Sequence, residues 1–168
     1  MLKCFEGCVM NEDRILLARE ISRYFHKDQK YGEHDYFDYH IMGVFNTLLK
    51  VSKKFLTEEL VIVTALHDIL EDTQCTWSTL ENIFGYDIAD YVDILTCLKG
   101  DDIDQYLKDI NVYPVTRMVK YADSLFNYNE CIKDGNIKRA EKYKYNLDIL
   151  YTERLFKSKY DQTGEAND

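Results

Sequence analysis

Apolar positions recur at three- and four-residue intervals along most of the chain, the repeat of helices that bury one face. Asn11-Glu12-Asp13 reads as an N-cap with an acidic first turn, and Ile15, Leu16, Ala18, Ile21, Tyr24 and Phe25 carry that repeat to about Asp28. A second helical period runs from Tyr36 to Val51 through His40, Val44 and Leu48. Thr57-Glu58-Glu59 caps a third helix, which contains the apolar run Leu60 to Leu66 and is expected to end near Asp72. Thr76 or Ser78 opens a short helix through Leu80, Ile83 and Phe84 to Gly85, and Asp87 opens another through Ile88, Tyr91, Ile94 and Leu98 to Gly100. Ile103, Tyr106, Leu107 and Ile110 form one more, and Pro114 suits the first turn of a longer helix through Met118, Val119, Ala122 and Phe126. A charged helix from Asn136 to Lys159 closes the pattern, with Ala140, Tyr143, Leu147, Leu150 and Leu155 as its apolar side. Gln29 to Asp35 is polar, holds Gly32 and reads as a loop. No strand-like alternation persists, so the expectation is an all-α single domain of seven or eight helices over residues 1–160, with a polar tail at 161–168.

Composition narrows the possible partners. The chain has 168 residues and a net charge of -9, which argues against a nucleic-acid-binding face and against an anionic membrane surface. The run Leu60 to Leu66 is far too short to span a membrane. Five cysteines, at 4, 8, 75, 97 and 131, include no C-x-x-C pair, so neither a disulfide framework nor a zinc ribbon is suggested. Free thiols and no signal-like start give the expectation of a reducing, cytoplasmic setting.

The chemistry concentrates in Ala65-Leu66-His67-Asp68-Ile69-Leu70-Glu71-Asp72-Thr73, directly after the apolar run. On a continuous helix, His67 and Glu71 share a face, as do Asp68 and Asp72. The adjacent imidazole and carboxylate can serve one ion, and the later acids face water beside it. Charges next to an apolar run are costly to bury unless something offsets them. A metal needs donors from other elements as well. The candidates are His26, His34, His40 and Asp123, the last flanked by Val119, Ala122 and Phe126 at helical spacing and followed one turn later by Asn127. A His2Asp2 set suits manganese, iron, zinc or magnesium. Such an ion polarises a phosphoryl oxygen and acidifies water. Glu71 and Asp72 would orient or deprotonate that water. Taken singly these residues have plain readings too. His26 and His34 read as solvated or loop residues, Asp123 as a buried acid paired with Lys120 or Arg117, and Glu71-Asp72-Thr73 as a helix end.

His67-Asp68-Ile69-Leu70-Glu71-Asp72-Thr73 resembles the HD-x-x-E-D-T signature of the (p)ppGpp hydrolase branch of the HD superfamily, which includes the RelA/SpoT hydrolase domains and small stand-alone alarmone hydrolases. Further segments resemble the same family in the same order. Ala18 to Gln29 is similar to its A-x-x-x-H-x-x-Q stretch, Phe37-Asp38-Tyr39-His40 to its Y-I-x-H segment, and Thr76 to Gly85 to its short helix ending in F-G. Val119 to Asn127 is similar to its V-K-L-A-D-x-x-x-N segment. Together these cover about Asn11 to Glu130. The resemblance implies an HD-type helical fold with His40, His67, Asp68 and Asp123 as ligands of a divalent metal, most simply Mn2+. It implies Glu71 and Asp72 as the pair acting on the attacking water and Asn127 as a contact to the nucleotide sugar. His26 matches a family histidine that is not a ligand.

Where the family carries a basic pair that includes a guanine-stacking arginine, this chain has Tyr31 and Gly32, and the family's His-Pro is His40-Ile41. Tyr31 can still stack on a base, and Lys27 or Lys30 can supply a cation, so Tyr31, Lys30 and Asn127 are the substrate-binding candidates. The resulting expectation is a metal-dependent hydrolase that removes the 3′-pyrophosphate of ppGpp or pppGpp, giving GDP or GTP and pyrophosphate. Its partner is a small-molecule nucleotide. Two alternatives stand beside it: an HD-fold nucleotide phosphatase acting on the 2′-phosphate of NADPH or on a nucleoside monophosphate, and a nucleotide-binding HD module without turnover.

Overall fold

A computed structural model describes residues 10–52 and 56–151. Cys4 and Cys8, the expected helix beyond residue 151 with Leu155, and the tail at 161–168 lie outside the described residues. Nine α-helices are present among the described residues: α1 (Glu12–Phe25), α2 (Met42–Val51), α3 (Glu58–Leu66), α4 (Ile69–Asp72), α5 (Trp77–Phe84), α6 (Tyr86–Leu95), α7 (Ile103–Val112), α8 (Pro114–Lys133) and α9 (Ile137–Leu150). The fold is all-α, and the strand content among the described residues is one small hairpin.

Local signals set most helix starts. The Asn11 side chain accepts from the backbone N–H groups of Asp13 and Arg14, Thr57 from Leu60, Thr76 from Thr79, and Asp102 from Asp104 and Gln105. These bonds satisfy donors that a helix start otherwise leaves unpaired. Pro114 opens α8, as its missing N–H and fixed φ allow. Gly85 joins α5 to α6 at φ 89, a left-handed value that suits glycine.

Helix α3 is the centre of the core, with every residue from Leu60 to Leu66 buried. It packs against α1, α2, α6 and α8. The 20 residues of α8 extend about 30 Å across the molecule and also touch α7 and α9. A close approach between α2 and α8 fixes their spacing: a Cβ on Gly43 would lie 2.2 Å from a ring carbon of Phe126. Only a glycine lets the two helices come this near.

Three departures from the sequence expectations shape the site. Gln29 to Asp35 is not an irregular loop, because β1 (Lys30–Tyr31) and β2 (His34–Asp35) pair antiparallel around Gly32 at φ 60. The helix expected from Tyr36 begins instead with a π-helical turn, Phe37–Ile41, that contains His40. The helix expected to run unbroken to Asp72 ends at Leu66, and Asp68 sits at φ -102, ψ 1 before α4 begins. The carboxylate at that break meets two partners from outside its own turn of helix, Tyr36 and His40, as described below. Smaller shifts occur as well: α6 starts at Tyr86 rather than Asp87 and ends at Leu95 rather than Gly100.

Candidate metal centre

Four side chains from four elements meet beneath an open cavity. His40 comes from the π-turn, His67 from the end of α3, Asp68 from the break after it, and Asp123 from the middle of α8. His67 Nε2 is 3.0 Å from Asp68 Oδ2, His40 Nε2 is 3.1 Å from the same oxygen, and His40 Nε2 is 3.6 Å from Asp123 Oδ1. One donor atom each from His40, His67 and Asp123 lies within 4.8 Å of the others, and all three residues are buried. This group could hold a divalent metal ion.

The donor chemistry fits such an ion. His67 Nδ1 lies 2.9 Å from the carbonyl of Thr64, a contact that places a proton on Nδ1 and makes Nε2 the nitrogen that can bind an ion once its own proton is displaced. Buried His67 Nε2 has no hydrogen-bond partner although a carboxylate oxygen is 3.0 Å away. An imidazole nitrogen and an anionic oxygen set side by side suit a shared cation, a proton in the metal-free protein or a metal ion in its place. Burial alone would lower the pKa of His67, but the carboxylates of Asp68 and Asp123 outweigh it and raise the pKa to about 9. Burial likewise opposes ionisation of Asp68, yet the His67 and His40 imidazoles hold its carboxyl well below the usual carboxylate range. The local field therefore favours positive charge.

Further bonds fix the donors. Tyr36 donates to Asp68 Oδ2 at 2.6 Å, and burial followed by the Asp68 charge raises its phenol so that it stays a donor. Asn127 Nδ2 donates to Asp123 Oδ1 at 2.6 Å. The buried ammonium of Lys120 pairs with Asp123 Oδ2 at 3.0 Å. Burial opposes the Lys120 charge, but Asp123, Tyr106 and Asp68 raise its pKa well above the ordinary value.

Glu71 and Asp72 line the same cavity, held from opposite sides. The backbone N–H of Cys97 donates to Glu71 Oε2 at 2.9 Å, and Gln29 Nε2 donates to Asp72 Oδ2 at 2.8 Å. Burial raises the Glu71 carboxyl above its ordinary value. Gln29 is held in turn by His26, whose Nδ1 meets Gln29 Oε1 at 2.6 Å. His26 is buried and stacked on Tyr36, so the plain reading of it as solvated is corrected. His34 is exposed and stacked on Tyr39.

No protein-family model matches the chain, and no curated protein matches it. Among solved structures, one described as a metazoan ortholog of SpoT that hydrolyses ppGpp and plays a role in starvation responses superposes with a TM-score of 0.63. The two are 19% identical, over 88% of this chain and 98% of that one. This chain has the SpoT-like fold.

The cavity over the four donors has a volume of about 720 Å³, within the range of small-molecule sites. Lys30, Tyr31 and Asn127 lie in its wall. Lys30 is exposed and paired with Asp35 across the hairpin. Tyr31 donates to Asn127 Oδ1 at 3.0 Å, and burial raises its phenol to about 12. Lys99, Arg139, Lys142 and Tyr143 also line the cavity, and sequence reasoning does not single them out. The helical spacing of Arg139, Lys142 and Tyr143 puts them on one face, but in a charged helix that pattern looks the same as a solvated surface. No helix among the described residues is long and apolar enough to cross a membrane.

Proposed function

We propose that the chain is a metal-dependent phosphohydrolase that removes the 3′-pyrophosphate of ppGpp or pppGpp, yielding GDP or GTP and pyrophosphate. One observation carries the reading: two imidazoles and two carboxylates from separate elements converge at the cavity floor, with Glu71 and Asp72 beside them. The SpoT-like fold supports the substrate, since the solved protein that shares it is described as hydrolysing ppGpp. The basic residues Lys99, Lys120, Arg139 and Lys142 in the cavity wall of an otherwise acidic protein suit a ligand with several phosphates.

In this reading His40, His67, Asp68 and Asp123 hold the ion, with Mn2+ the proposed native metal, and the domain spans residues 1–160. A divalent ion there supplies electrophilic stabilisation of the charge developing on the phosphoryl oxygens. Each of Glu71 and Asp72 has one oxygen tied to a donor from the protein, so the other is free to take a proton from the attacking water or to orient it. Burial raises the Glu71 carboxyl above its ordinary value, which makes it a stronger proton acceptor than an ordinary glutamate. Asn127 binds the nucleotide sugar, while Tyr31 and Lys30 border the base.

The test is product analysis of ppGpp incubated with the purified protein and Mn2+, for the wild type and Asp68→Asn. Pyrophosphate and GDP from the wild type, with a loss of at least about 10³-fold in D68N, are expected. Equal turnover by D68N would reject the metal assignment. Release of orthophosphate from NADPH or a nucleoside monophosphate, with ppGpp left intact, would move the substrate to another nucleotide.

A further inference from the structure

Tyr31 stands where the two halves of the donor cluster meet. Its ring stacks on that of His40, with centroids 5.3 Å apart and planes 5° from parallel. Its hydroxyl donates to Asn127 Oδ1 at 3.0 Å, and Asn127 Nδ2 donates to Asp123 Oδ1 at 2.6 Å. One side chain from a two-residue strand thus touches a donor of the π-turn directly and a donor of α8 through one amide.

His40 has no hydrogen-bonded anchor at its second ring nitrogen among the described residues, and at Asp123 Lys120 holds Oδ2 while Asn127 holds Oδ1. A metal-binding histidine ordinarily gives its second ring N–H to a carboxylate, carbonyl or water, which fixes the ring. His40 Nδ1 is buried and has no hydrogen-bond partner among the described residues. Ring contacts set its orientation instead: the parallel stack of Tyr31, the tilted ring of Tyr36 at 4.8 Å and the edge of Phe126 at 5.4 Å. At Asp123, the Asn127 amide is held through Nδ2, which donates to the carboxylate at 2.6 Å and to the Asp123 carbonyl at 3.1 Å, and the Tyr31 hydroxyl holds its other end at Oδ1. With the hydroxyl bound to Oδ1, the amide must turn Nδ2 toward Asp123. Without it, Oδ1 loses its partner and the amide is held at its Nδ2 end alone.

We infer that Tyr31 is a positioning residue for the metal centre, aligning His40 through its ring and Asp123 through the Asn127 amide, so that the β1–β2 hairpin governs metal affinity. The inference rests on the proposed metal site, and it assigns the hairpin a task apart from contact with substrate. Its two arms use different parts of the side chain and separate by mutation. Tyr31→Phe keeps the stack and removes the hydroxyl. Tyr31→Leu removes both.

The experiment is Mn2+ titration of the metal-free protein, with no nucleotide present, by calorimetry and by the electron paramagnetic resonance signal of free Mn2+. The proteins are wild type, Y31F, Y31L, Asn127→Ala, and the two double variants in the N127A background. Loss of a partner that orients a ligand weakens metal binding by about 10- to 100-fold. Y31F is expected to bind Mn2+ several-fold more weakly than wild type, and Y31L about 10- to 100-fold more weakly. In the N127A background the hydroxyl has nothing left to hold, so Y31F adds no further loss, while Y31L still does through His40. A purely structural role for Tyr31 would lower the melting temperature of both variants and leave their Mn2+ affinities alike. Y31F and Y31L that bind Mn2+ as tightly as wild type overturn the inference and leave the metal site standing. A wild type that binds no Mn2+ removes the metal site itself.

Discussion

The packing at Gly43 permits a test that needs no ligand. In Gly43→Ala the new methyl carbon would lie 2.2, 2.7 and 2.8 Å from three ring atoms of Phe126, against an ordinary contact of about 3.4–4 Å. The ring must move by more than about 1 Å, or α2 must shift from α8. Phe126 cannot retreat freely, because its ring also contacts His40 at 5.4 Å, Tyr31 at 5.9 Å and Tyr39 at 6.0 Å. Overpacking of this kind costs about 1–3 kcal/mol. For a domain of this size each kcal/mol shifts Tm by about 2–4 °C, so a fall of roughly 2–12 °C is expected. Because the displaced ring leans on His40, G43A should also weaken Mn2+ binding. Differential scanning calorimetry of G43A, Phe126→Leu and the double variant separates the clash from general damage. The smaller leucine side chain should relieve it, leaving the double variant more stable than additivity predicts. A G43A protein that melts within about 1 °C of wild type would refute the close approach of α2 and α8.

Two other perturbations probe the charges. The folded-state pKa of His67, about 9, lies above its ordinary 6.5. Its protonation therefore contributes stability in full below pH 6.5, and that contribution is lost as pH rises through 9. The urea midpoint of metal-free protein should fall over that window, and His67→Asn should flatten the fall. A midpoint that climbs with pH in wild type and H67N alike would contradict the assignment. Lys120→Met removes the buried cation beside Asp123. Metal-free K120M should be destabilised by about 3 kcal/mol or more, since a buried acid loses its partner, while Mn2+ should bind it more tightly than wild type because a competing positive charge is gone. Chemical denaturation and Mn2+ titration read the two effects, and unchanged values in both would sink the claim.

Much of the fold is legible because helix signals are local and repeated. Asn11, Thr57, Thr76 and Pro114 mark helix starts in the sequence and occupy them in the structure. The hairpin escapes because each strand has two residues, too few for any alternation to register. The break at Asp68 escapes for a different reason. Nothing local ends the helix there, and the donors around that carboxylate come from Tyr36 and His40, about thirty residues earlier. The donor cluster is readable through ordered motifs, since His40, His67, Asp68 and Asp123 each sit in a recognisable segment. Its surroundings are not. Tyr31 contacts His40 and Asn127 through a hairpin that the sequence presents as a loop, and Arg139 and Lys142 reach the cavity from a helix whose charges look solvated. Four of the chain's fourteen tyrosines, Tyr31, Tyr36, Tyr106 and Tyr143, line the cavity, which gives part of that abundance a place in the site.

The most direct test of the centre is its metal content. Protein stripped with chelator, reloaded with Mn2+ and desalted should retain one ion per chain by elemental analysis, and His67→Ala and Asp123→Ala should each retain almost none. A wild type that retains no Mn2+, Fe2+, Zn2+ or Mg2+, or variants that hold the ion as firmly as wild type, would contradict a shared ion among His40, His67, Asp68 and Asp123.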